Sequence, residues 1–277
     1  MRVDSHQHFW HYHPVRDAWI TDEMARLKRD FLPADLLPEL RASGIDACVA
    51  VQADQSEEET RFLLDLAEEH CEIAGVVGWV DLLDEKVEER LEHFSRFRKL
   101  RGFRHIVQAE PDDRFLLRKD FLRGVGMLSR FGFTYDILIY ARHLAVADQF
   151  VQQFPHQKFV VDHIAKPQIK ARELHEWSRG ILAIAKHPNV WCKVSGLVTE
   201  ADCKRWTPDD FRPYLDVVFE AFGIDRVMFG SDWPVCLLGG NYRRVKAIVD
   251  DYTQSFPVID KEKIFGRNAV RFYGLSA

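Results

Sequence analysis

The chain has 277 residues, 47% hydrophobic and 29% charged, with a formal net charge of -5. This is the make-up of a soluble globular protein, long enough for one α/β barrel or for two ordinary domains. No basic cluster stands apart from acids and no apolar run approaches a membrane span, so neither nucleic acid nor a membrane is an expected partner.

Asp4 and three early histidines, His6, His8 and His11, break the stretch where a signal peptide would be apolar, which predicts a cytoplasmic location. Five cysteines (Cys48, Cys71, Cys192, Cys203, Cys236) without a Cys-x-x-Cys pair argue against a disulfide framework and against a thiolate zinc site. They are expected to be reduced, buried and inert.

In chain order, residues 3–8 read as a first strand. Alternate side chains of a strand share a face, so His6 and His8 project together and Gln7 turns away. Residues 11–32 are polar and aromatic and predict a long loop inserted over one end of the domain, with a short helix at 22–28. A helix from Pro33 to the stop at Gly44 precedes a buried strand at 45–51 that ends in Gln52. The same unit then recurs: helix 57–70 and strand 73–80, helix 84–98 and strand 101–107, helix 115–131 and strand 133–139. Helix 141–154 and strand 158–163 follow, then helix 173–187 and strand 190–194, helix 209–222 and strand 226–229, and closing helices from 242. Eight apolar strands alternate with helices at a repeat of roughly 30 residues, and no linker interrupts them. The expected fold is α/β, a (β/α)8 TIM barrel forming a single domain over residues 1–277. A doubly wound sheet is the runner-up, but it would carry a glycine-rich phosphate turn after an early strand, and none is present.

Barrel chemistry sits at the C-terminal ends of the strands. Those ends supply His6 and His8, Gln52, Trp79 with Asp81, Arg104 with His105, Tyr135 with Asp136, His163, Lys193 with Ser195, and Ser231 with Asp232. Any one of them alone is more often a capping residue than a catalyst. Three imidazoles and an acid converging from distant strands form a set suited to acid–base work.

The His6-Gln7-His8 start, Asp162-His163-Ile164-Ala165-Lys166-Pro167, Lys193-Val194-Ser195-Gly196, Phe229-Gly230-Ser231-Asp232-Trp233-Pro234 and the closing Asn268-Ala269-Val270-Arg271-Phe272-Tyr273 resemble the amidohydrolase superfamily, in particular its lactonase branch. The resemblance spans nearly the whole chain and is nearest to the sugar lactonases. It implies hydrolysis of a sugar lactone (an L-fucono-lactone-like 1,4- or 1,5-lactone) to the aldonic acid. Asp232 would deprotonate the attacking water, and His6, His8, His163 and Arg104 would complete the catalytic set. Where two-metal members place a bridging lysine or glutamate on strand four this chain has Arg104 and His105, and where they place a histidine on strand five it has Tyr135 and Asp136, so two metals are not expected. His6, His8, His163 and Asp232 suit a single Zn²⁺. The lactonase resemblance nevertheless implies that no cofactor is required, fixed cationic donors polarising the carbonyl instead. Trp10, Gln52, Trp79, His105, Asp136 and Trp233 are the expected contacts to a neutral sugar. A mononuclear zinc decarboxylase or amidohydrolase and a pyrone-dicarboxylate lactonase remain the alternatives; the latter needs two carboxylates held by bidentate arginines. The expected partner is thus a small-molecule sugar lactone, and nothing in the sequence identifies an oligomeric interface.

Overall fold

The structure, a computed structural model, describes residues 1–276. Short runs rich in Val, Ile and Phe form eight strands: β1 (Val3–Gln7), β2 (Ala47–Val51), β3 (Ile73–Gly78), β4 (Leu100–His105), β5 (Thr134–Ile137), β6 (Phe159–Val161), β7 (Val190–Val194) and β8 (Val227–Phe229). They pair in sequence order, each parallel to the next. A parallel bridge between Gln7 and Trp233 closes the ring, where His8 N–H donates to Trp233 O at 2.7 Å and Asp232 N–H to His6 O at 2.8 Å. The expected single (β/α)8 barrel is therefore observed.

Between the strands run α1 (Pro33–Ala42), α2 (Glu57–Glu69), α3 (Val87–Phe94), α4 (Lys119–Leu128), α5 (Leu144–Gln152), α6 (His175–Ile184), the single turn α7 (Leu197–Glu200) and α8 (Pro208–Phe222). α9 (Tyr242–Tyr252), α10 (Val258–Glu262) and α11 (Asn268–Tyr273) follow β8. Each long helix buries one stripe, as α2 does with Leu63, Leu64 and Ala67, and Ser56 caps its N-terminus by accepting from Glu59 N–H at 3.2 Å. No helix among the described residues is long and apolar enough to cross a membrane.

Strand alternation divides the core in two. Outward residues such as Cys48, Val76, Phe103, Tyr135 and Phe159 pack under the helices, whereas Val3, Val49, Val51, Val77, Val160, Trp191 and Met228 fill the barrel interior. The C-terminal helix α11 plugs the floor of that interior with Ala269, Phe272 and Tyr273, joined by Leu275. Above this apolar floor the interior turns polar, which places the site at the C-terminal mouth.

Residues 11–32 form an excursion pinched at its base by an antiparallel bridge between Trp10 and Phe31, with N–H···O distances of 3.0 and 2.9 Å. A 3-10 turn at Asp22–Leu27 lies within it. The predicted strand 158–163 is cut short, because His163, Ile164, Ala165 and Lys166 all take left-handed backbone angles, φ between 48 and 59°. Sequence offers no sign of such a turn, since it lacks the glycine that usually adopts it. Cys71 is exposed and Cys203 half-buried, which corrects the expectation that all five cysteines are buried; all five are free thiols.

Candidate active site

β1 delivers His6 and His8 to one face, and the turn after β8 delivers Asp232 opposite them. The two Nε2 atoms are 3.2 Å apart, and Asp232 Oδ1 lies 3.3 Å from His8 Nε2 and 3.8 Å from His6 Nε2. His163 completes the cluster, its Nε2 3.9 Å from Asp232 Oδ1 and its ring 4.4 Å from that of His6. All four residues are nearly inaccessible. Burial raises the Asp232 carboxyl, but the neighbouring His163 and His8 rings outweigh it and hold the group below its ordinary value. Burial pushes His6 and His163 far below the usual imidazole range. At neutral pH an ionised Asp232 thus stands beside neutral His6 and His163 rings, the state a general base needs.

Glycines make room for these rings. A Cβ on Gly196, whose φ is +64°, would lie 2.6 Å from His163 Nδ1, and one on Gly230 would lie 2.7 Å from His6 Cβ. Ser195 Oγ holds His163 Nδ1 at 2.9 Å. A Gly196→Ala variant is expected to displace the His163 ring and to lower kcat/KM by roughly 10²-fold, the scale of an ångström-sized misplacement. Steady-state kinetics on a variant with an unaltered circular dichroism spectrum would read this.

Beneath the histidines lies a buried ionic network. Arg104 and Asp136 are paired in register across β4 and β5 and face inward together. Lys193 Nζ contacts Asp136 Oδ2 at 2.5 Å, Asp162 Oδ1 at 3.0 Å and His6 Nδ1 at 3.1 Å. Arg104 donates to Asp162 Oδ2 at 3.0 Å and to Gln52 Oε1 at 2.9 Å, takes the Gln52 carbonyl as well, and lies 3.3 Å from His6 Nε2. Tyr273 reaches up from the α11 plug and donates to Asp136 Oδ2 at 2.7 Å. Burial pushes the Asp136 carboxyl up to about 6 despite Lys193. For Asp162 burial acts in the same direction but is outweighed by Lys193 and His6, which hold it well below the carboxylate range. Asp4, pushed up to about 6 by burial, braces the mouth from outside the ring: it accepts from Ser231 N–H at 2.9 Å and Tyr242 O–H at 3.0 Å.

The predicted sugar contacts fall differently. Gln52 is fully buried and committed to Arg104, and Asp136 to Lys193 and Tyr273. Trp10 gives its indole N–H to Arg29 O at 2.9 Å and packs on Phe31, while Trp233 packs on Phe9 and Phe31. Both tryptophans thereby anchor the inserted loop with their rings almost wholly covered. His105 turns to the opposite face of β4 from Arg104, stacks on Phe115 and bonds Glu110 Oε1 at 2.7 Å. Trp79 is the half-buried member of the set, its Nε1 3.5 Å from His105 Nδ1. The sequence offers Lys193 only as a strand end, and Asp162 and Tyr273 only within longer motifs, with no role for any of the three. The available signal was a lysine inside the apolar run Val190-Trp191-Cys192-Lys193-Val194.

The donor set suits one zinc ion. Ligand atoms in a tetrahedron of roughly 2.0–2.1 Å bonds lie about 3.3 Å apart, close to the spacings among His6 Nε2, His8 Nε2 and Asp232 Oδ1, which lie together as a candidate metal group. His8 Nδ1 bonds the Val51 carbonyl at 2.7 Å, which fixes its proton there and leaves the Nε2 lone pair toward the cluster.

Barrel and cluster together define a (β/α)8 barrel with a candidate metal group at its mouth. The chain belongs to the amidohydrolase family, whose description, Amidohydrolase, matches residues 3–275. It is 41% identical over 99% of its length, and 96% of the relative's, to an L-fucono-1,5-lactonase from Burkholderia multivorans. It is 36% identical to an L-fucono-1,5-lactonase from Burkholderia ambifaria, with 98% and 95% covered. A crystal structure of an amidohydrolase from Burkholderia multivorans with bound zinc, 39% identical, superposes with a TM-score of 0.97 over 100% of both chains. That bound zinc, with the fitting donor set here, corrects the expectation that no cofactor is required.

Proposed function

We propose that this chain opens a sugar lactone of the L-fucono-1,5-lactone kind to its aldonic acid, with a zinc ion held by His6, His8 and Asp232. The observation that carries the reading is full-length identity of 41% and 36% to two L-fucono-1,5-lactonases, with an ionised carboxylate beside neutral His6 and His163 at the mouth. Bound zinc supplies Lewis acidity toward the carbonyl oxygen and the water.

The chain's own residues manage the proton. Asp232 takes a proton from the water that attacks the lactone carbonyl carbon. As the ring C–O bond breaks, Asp232 returns that proton to the departing ring oxygen, leaving an open hydroxy acid. His163, pinned by Ser195 and seated on Gly196, stands beside Asp232 and orders the acceptor side of this exchange. Arg104, 3% exposed with its donors spent on Gln52 and Asp162, acts through His6 and not on substrate.

A pyrone dicarboxylate is not favoured, because the arginines considered for its two carboxylates are engaged elsewhere: Arg104 is committed to Asp162, and Arg142 pairs with Asp113 at 3.0 Å on the surface. The test is acid release, followed by a pH indicator, from L-fucono-1,5-lactone, other aldono-lactones and 2-pyrone-4,6-dicarboxylate. Release from the sugar lactones alone is expected. Release from the pyrone alone would refute the reading.

A further inference from the structure

The motif Asp162-His163-Ile164-Ala165-Lys166-Pro167 contributes more than a histidine. Its four consecutive left-handed residues include β-branched Ile164, a strained conformation that persists only where the surroundings enforce it. Here they do: Trp177 Nε1–H donates to Ile164 O at 2.7 Å, and Lys166 N–H to His163 O at 2.8 Å closes the turn. The same turn thus fixes two side chains, His163 and Lys166.

Lys166 is half-buried, yet no carboxylate lies within 4.0 Å of its ammonium among the described residues, and the ammonium stands 5.6 Å from the Tyr140 ring. The other cations named around the site are paired. Arg104 and Lys193 are locked beneath the histidines, and Arg142 is paired with Asp113. Glu200, at the end of α7, is also half-buried and its carboxylate makes no hydrogen bond among the described residues; its backbone carbonyl accepts from Lys170 N–H at 2.9 Å, which ties α7 to the segment carrying Lys166. Burial raises the Glu200 carboxyl, with Lys166 drawing it down and Asp232 pushing it up, and Lys166 also helps to lower Asp232.

Hydrolysis turns a neutral ring into an anion, so a lactonase site must meet a negative charge that its substrate lacks. We propose that Lys166 and Glu200 form a binding subsite for a polyhydroxylated acid, with the Lys166 ammonium receiving the nascent carboxylate and the Glu200 carboxylate accepting from sugar hydroxyls. This rests on the lactonase reading for the identity of the acid, but not for the recognition of an anion.

The test is binding of L-fuconate to the zinc-loaded protein, measured by calorimetry and as product inhibition. Lys166→Met is expected to weaken L-fuconate at least 10-fold while Lys166→Arg stays within about 3-fold of wild type, with zinc content unchanged in both. L-fucose, a neutral polyol, is expected to lose little affinity in Lys166→Met. Glu200→Gln is expected to weaken both ligands. Equal L-fuconate affinity in wild type and Lys166→Met, or equal losses for L-fuconate and L-fucose, would overturn the proposal, as would absence of L-fuconate binding to wild type. Binding is read without turnover, so wild type that binds L-fuconate but hydrolyses no lactone would refute the proposed reaction and leave the subsite standing.

Discussion

Asp232→Asn is expected to lower turnover of any lactone substrate by about 10²–10⁴-fold, the usual contribution of a positioned general base, without unfolding the protein. The amide is isosteric, and asparagine tolerates the left-handed φ of +57° at this position. Its backbone contacts, N–H to His6 O and O from Cys236 N–H, both at 2.8 Å, do not involve the side chain. The variant also loses one anionic ligand, so zinc content must be matched to wild type before rates are compared. A melting temperature near wild type with acid release lowered by that factor is the expected pair of results.

Lys193→Met is expected to act mainly on stability, by roughly 3–5 kcal/mol, the cost of stranding buried charge. Lys193 is the cation shared by Asp136 and Asp162, all three fully buried, and methionine fills its volume without its charge. The loss should depend on pH. The folded Asp136 carboxyl is already raised to about 6, above its unfolded value of about 3.9, so its ionisation opposes folding as pH rises from 3.9 through 6. Without the ammonium it rises further. The deficit is therefore expected to be largest above pH 7 and to shrink toward pH 5, where the carboxyl takes up a proton; urea unfolding at the two pH values reads this. Equal deficits at both would show that packing and not charge is what Lys193 supplies.

Much of this molecule is legible in the sequence because a barrel's demands are periodic. Alternating apolar strands and helices define the ring, and strand ends define the mouth, so His6, His8, His163 and Asp232 are visible before any coordinates. The polar layer below them is less legible. Whether Arg104 or His105 faces inward depends on register, which neighbouring residues on β4 leave ambiguous and which pairing of Arg104 with Asp136 resolves. Tyr273 belongs to a helix nearly 140 residues from its partner Asp136, a contact made only when α11 plugs the barrel floor. Trp10 and Trp233, read as walls for a sugar, lie in the aromatic cluster under the inserted loop, a role that composition cannot separate from ligand contact. The left-handed turn at His163 is hidden for a different reason: it is imposed by tertiary contacts on residues with no local preference for it.

The central claim is a zinc-supported sugar lactonase, and its most direct test is acid release from L-fucono-1,5-lactone in one sample, before chelation, after removal of metal, and after return of stoichiometric Zn²⁺. Release is expected to fall with the metal and to recover with it. No release above the uncatalysed rate at any stage, or a rate unaltered in metal-free protein, would contradict it.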